Sequence, residues 1–76
     1  MANFTGKVVQ VQGSVVDVAY AEGELPGLFE SIEIEREGET PLVLEVQKHL
    51  GDHWVRTVAM DTTDGLRRGV EAVSTG

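Results

Sequence analysis

Leu42-Val43-Leu44-Glu45-Val46-Gln47 is the stretch on which the fold turns. Leu42, Leu44 and Val46 fall on one side of an extended chain while Glu45 and Gln47 fall on the other, the period of two that belongs to a half-buried β-strand. The same alternation resumes on either side of it. Upstream, Ile32 and Ile34 are separated by Glu33 and followed by Glu35 and Glu37, which point to water. Glu37-Gly38-Glu39 reads as a hairpin tip, because glycine takes the positive φ of a tight reversal, and Pro41 suits the start of the strand that follows. Downstream, Gly51-Asp52 predicts a turn and Trp54 to Met60 a further strand. Its alternation is less clean: Val55 and Val58 lie on opposite faces and Arg56 interrupts the face of larger residues, so both faces are expected to be partly covered.

Nearer the N-terminus, Lys7 to Gln12 and Ser14 to Tyr20 are divided only by Gly13, which predicts either one bent strand or two strands meeting at a glycine corner. Val9 and Val11 share one face by parity, as do Val16, Val18 and Tyr20. Ala21-Glu22-Gly23-Glu24-Leu25-Pro26-Gly27 is a loop, since proline and two glycines forbid regular pairing. Asp61-Thr62-Thr63-Asp64-Gly65 is turn chemistry throughout, and after Gly69 a sixth strand is expected over Val70 to Val73. Six short antiparallel strands must hide their edges. With so few residues, closure does this better than a two-sheet sandwich, so the expected fold is all-β: a small closed six-stranded antiparallel barrel forming one domain over residues 1–76.

Composition narrows the function. A chain of 76 residues buries only about 60% of the surface its unfolded form exposes, and the absence of cysteine leaves closure to hydrogen-bonded strands. A net charge of −7 repels phosphate backbones and anionic lipid faces, so neither nucleic-acid binding nor direct membrane contact is expected. Met1-Ala2-Asn3-Phe4 lacks the charged flank and apolar run of a secretory signal. An oligonucleotide-binding barrel would have a similar strand pattern, but the four aromatics, Phe4, Tyr20, Phe29 and Trp54, are not interleaved with basic residues as base stacking needs.

No residue pattern points to catalysis. Two histidines, His49 and His53, with Asp52 between them, offer donors within one segment, yet a strand entering a turn need not converge them and no further strong ligand is near, so they read as exposed turn residues. The Asp61–Gly65 stretch lacks the alternating carboxylates and distal glutamate of a calcium loop. Pairs such as Glu22 with Glu24, or Glu33 with Glu35, read as solvated acids rather than a glycosidase pair. The phosphate-wrapping loop Gly-x-x-x-x-Gly-Lys-Ser/Thr is absent, and Gly6 and Gly13 introduce no helix, which makes them corner glycines rather than a dinucleotide fingerprint. Catalytic, cofactor-binding and metal-binding residues are therefore assigned to none. Candidate partner contacts remain. Leu25, Leu28 and Phe29 are large apolar side chains outside the strands, which either plug a barrel end, the more economical reading, or meet a partner. Arg67-Arg68, the only adjacent basic pair, either reaches an acidic neighbour or balances local glutamates.

Three blocks in order carry a family resemblance. Gly6-Lys7-Val8-Val9-Gln10-Val11-Gln12-Gly13-Ser14-Val15-Val16-Asp17-Val18 is similar to the opening of the F-type ATP synthase β subunit, which reads Gly-x-Val-x-x-Val-x-Gly-x-Val-Val-Asp-Val. Leu42 to Gln47 with His49-Leu50-Gly51, then Val55 to Asp61 with Thr63-Asp64-Gly65-Leu66 and Arg68-Gly69, follow at that family's spacing, and Leu25-Pro26 fits its connecting segment. Ser14, often Pro or Ala there, and Tyr20, often Phe, depart from the pattern.

The resemblance implies a non-catalytic crown barrel that stabilises the α/β hexamer of a proton-translocating synthase, with α subunits on both sides and the isolated domain monomeric. It places ATP or ADP with magnesium, and all the catalytic residues, in a nucleotide-binding domain of the parent subunit that would begin after Gly76. It implies a peripheral complex on the cytoplasmic face of a bacterial inner membrane, or in the matrix or stroma of an organelle; Met1 and the missing transit peptide favour the bacterial case.

Overall fold

A computed structural model describes residues 3–76; Met1 and Ala2, which open the segment read above as lacking a leader, lie outside the described residues. Six strands are present, β1 (Thr5–Gln12), β2 (Val15–Ala19), β3 (Ser31–Ile34), β4 (Leu42–Gly51), β5 (Trp54–Ala59) and β6 (Glu71–Ser74), and no helix is found among the described residues. All pairs are antiparallel and close in the order β1-β2-β5-β4-β3-β6. The expected barrel is the observed one.

Two tight turns and the 35–41 hairpin loop join sequential neighbours, and two longer connections cross the ends. At Gly13-Ser14 a two-residue turn separates β1 from β2, so the stretch is two strands rather than one bent strand; Gly13 has φ 60° and Ser14 an ordinary φ, the type II′ pattern that matches strand twist. The β4–β5 turn is Asp52-His53, one residue later than expected. Gly51 still pairs with Trp54, and both turn residues are left-handed, with φ 53° and 66°. Asp and His tolerate that region better than most side chains.

The interior is built from the positions the alternation selected. Ile32, Ile34, Leu42, Leu44, Val46 and Val55 are all but solvent-free, and their branched side chains lose little further freedom on the pleated wall. Parity fails on β1. Val8 pairs with Val18 and the next pairing is Gln10 with Asp17, so Val9 is an extra, bulged residue. The inward set is consequently Gly6, Val8 and then Val11, which packs on the core, and not Val9 with Val11. Thr57 is a polar member of the core, satisfied because its Oγ1 donates to Val16 O at 2.8 Å.

The long connections cover the open ends. Residues 20–30 bring Leu25 and the fully buried Pro26 across one end, and residues 60–70 bring Leu66 and Val70 across the other. Within the second, Asp61 Oδ1 accepts from Thr62 N at 2.7 Å, Thr62 Oγ1 accepts from Asp64 N at 3.2 Å, and Thr63 Oγ1 donates to Gly13 O at 2.7 Å. Asp61 and Thr62 satisfy backbone groups within the loop, as the turn reading requires, while Thr63 ties the loop to the β1–β2 turn.

Tyr20 ties three strands together. Its ring lies against Gly6 and its hydroxyl donates to Ala72 O at 3.1 Å, spanning from the end of β2 across β1 to β6. Gly6 is thus not a corner: it pairs with Ala72 inside the sheet, and its missing side chain is the space the ring occupies. Burial holds the Tyr20 phenol well above its ordinary range. A phenol whose folded-state value exceeds its unfolded value of about 10 contributes fully below that pH and loses its contribution as pH rises beyond it. Y20F should therefore cost about 1 kcal/mol near neutrality, from the lost hydrogen bond. The deficit should shrink and then reverse in urea titrations carried from neutral pH to about pH 11.5, because only the chain with tyrosine gains by ionising when unfolded.

Candidate functional site

The outer wall, not the interior, holds the side chains that could do something. Asp17 and Arg56 are direct partners across β2 and β5. Arg56 Nε donates to Asp17 Oδ1 and Nη2 to Oδ2, both at 3.0 Å, a two-pronged geometry that only a guanidinium supplies. The carboxylate is 3% exposed and the arginine 44%, so the arginine covers the acid like a lid. Hydrogen bonding to Asp17, then its charge, raises the Arg56 value further above an already high one. This pair is a brace rather than a reactive centre. D17A should lower Tm by about 4–8 °C, R56A should cost at least as much because it strands a buried carboxylate, and the double substitution should cost less than the two losses added, as read from thermal melts of all four chains.

His49, expected to be an exposed turn residue, is exposed but lies on β4, and it has a partner: its Nε2 lies 2.8 Å from Pro26 O. A carbonyl only accepts, so Nε2 carries the hydrogen and is occupied. His53 sits in the turn beyond. Among the described residues no group of three or more His, Asp or Glu side chains converges as a metal site.

A cleft of about 320 Å³ opens between the β3–β4 hairpin and the 62–70 connection, lined by Ile34, Arg36, Leu42, Thr63, Leu66 and Val70 among others. Arg36 spans it, donating from Nε to Thr40 O at 2.9 Å and lying 3.8 Å from Glu39 and 3.6 Å from Asp61. Pairs this long to exposed acids contribute little.

The five candidate contact residues separate into three groups. Leu25 packs against the core and plugs an end as expected. Leu28 and Phe29 do not: they are 50% and 69% exposed, which overturns the plugging expectation for both. The reason lies in the backbone, where Phe29 N donates to Val46 O at 2.8 Å and holds the segment beside β4, in line with the β3–β4 ladder, instead of across the barrel end. Arg67 and Arg68 are exposed, and neither forms an ion pair among the described residues. Sequence reasoning did not find the Asp17–Arg56 brace, which depends on β2 lying beside β5, strands that are not consecutive in the chain, or the Tyr20–Gly6 contact, which depends on the Tyr20 ring folding back over β1.

A closed six-stranded barrel, braced outside by an Asp–Arg pair and lacking a converged set of reactive groups among the described residues, matches one family model over residues 8–76. That span covers nearly the whole chain, and the protein belongs to the ATP synthase alpha/beta family, of which it is the beta-barrel domain.

Proposed function

We propose that this chain is the assembly barrel of the β subunit of an F-type, proton-driven ATP synthase, holding the α/β hexamer together without taking part in chemistry. The carrying observation is the closed barrel that matches the family over residues 8–76. The choice of β over α is supported by the three ordered blocks from Gly6, Leu42 and Val55. Exposed Leu28, Phe29, Arg67 and Arg68 suit a surface that meets α subunits on either side. ATP or ADP with magnesium belongs to the parent subunit's nucleotide domain, and the complex is peripheral, on the cytoplasmic face of a bacterial inner membrane or its organellar equivalent. The net charge of −7 opposes both nucleic acid and anionic lipid as direct partners.

Each barrel contact would be of ordinary size, burying roughly 800 Å² per partner or less, so isolated barrels associate weakly and the chain alone is monomeric. Native mass spectrometry tests the role. A β subunit carrying this barrel should form hexamers with its α partner in far higher yield than the same subunit without it; equal yields would refute the proposal.

A further inference from the structure

Phe29 combines two features that rarely coincide. Its φ of 66° lies in the left-handed region, where a side chain crowds the backbone and glycine is the ordinary occupant. The residue is 69% exposed, so burial does little to offset that strain. Glu30 N donates to Gly27 O at 3.2 Å, closing the turn Gly27-Leu28-Phe29-Glu30 with Phe29 third. A left-handed third residue after an ordinary second one is the type II pattern, which selects Gly or Asn at that place.

The turn is clamped. Phe29 N donates to Val46 O at 2.8 Å, Val46 N donates to Glu30 O at 3.0 Å, and His49 holds Pro26 O at the entry. Leu28 and Phe29 are therefore presented on a braced turn, already ordered before any partner arrives. Strain and exposure that both work against the isolated domain are the features of an interface anchor.

We propose that Phe29, with Leu28 beside it, anchors the barrel to a neighbouring subunit, and that the receiving surface is an apolar socket rimmed by lysine or arginine. Charge supplies the rim: residues 21–30 carry Glu22, Glu24 and Glu30 with no basic side chain, and the Glu30 carboxylate folds back over Gly27 at the base of the turn. Complementary charge steers such an approach and fixes its register. The inference rests on the assembly reading and adds to it the anchoring residues and the partner's chemistry.

The test compares F29G and F29A with the unsubstituted chain, using the α subunit of the same synthase as the probe. Both variants lose the ring, and only F29G relieves the backbone. Both should bind the α subunit weaker by roughly tenfold or more, while F29G should melt about 3 °C or more above F29A. Raising salt should weaken binding of the unsubstituted chain. If F29G melts no higher than F29A, the turn is not strained and the anchor loses its basis. If both variants bind as tightly as the unsubstituted chain, the anchor is wrong and the assembly reading stands. If the unsubstituted chain does not bind, the assembly reading falls and the anchor with it.

Discussion

Substituting alanine for Gly6 is expected to destabilise the domain by about 2–3 kcal/mol, the net of overpacking and a lost hydrogen bond less the reduced freedom of the unfolded chain. A Cβ at this position would lie 2.5 Å from Ala19 O and 2.8 Å from the Tyr20 ring. The carbonyl belongs to the neighbouring strand and cannot retreat without loosening the β1–β2 ladder, and the ring can retreat only by giving up its bond to Ala72 O. For a domain of this size the whole stability is on the order of 4–11 kcal/mol, so Tm should fall by more than about 8 °C in a circular-dichroism melt. Adding Y20A to G6A should cost much less than Y20A costs alone, since the two groups compete for one space. Equal costs in the two backgrounds would show that the ring and Gly6 are not coupled.

L44A should cost about 2–5 kcal/mol, the range for emptying a fully buried leucine position. Leu44 is 0% exposed and stands on β4 opposite Ile32 on one side and Ala59 on the other. Ala59 is too small to fill the void, and the rigid isoleucine and valines around it relax poorly. L44M, which nearly conserves volume, should cost less than about 1.5 kcal/mol. Urea unfolding of the three chains checks both values; a small loss for L44A would mean that the interior collapses more freely than a closed wall of branched side chains permits.

Where one face of a strand is buried and the other wet, the chain announced it. Leu42, Leu44 and Val46, and Ile32 with Ile34, were readable because a single period of two decides both their conformation and their burial. Val8 was not, because the bulge at Val9 changes parity in the middle of β1, and a bulge at one of two adjacent valines leaves no compositional mark. Gly6 looked like a corner because its reason for being glycine, the Tyr20 ring, lies on another strand. Asp17 sits at an outward position and would pass for a solvated acid; its burial follows from β2 lying beside β5, which are far apart in the chain. Leu28 and Phe29 stood out by residue type, but whether they turned inward depended on a backbone bond from Phe29 to Val46 that no local pattern predicts. The family was legible from three ordered blocks, two of which contain the halves of the Asp17–Arg56 brace.

If the barrel serves assembly, then adding the free chain in large excess while α and β subunits are forming hexamers should depress the hexamer yield, because the loose barrels occupy the α-subunit contacts that β subunits need. Analytical ultracentrifugation of that mixture reads the outcome. A yield that falls with increasing chain, and recovers when the excess is diluted away, is the expected result; a hexamer peak that keeps its full area at every dose would contradict it.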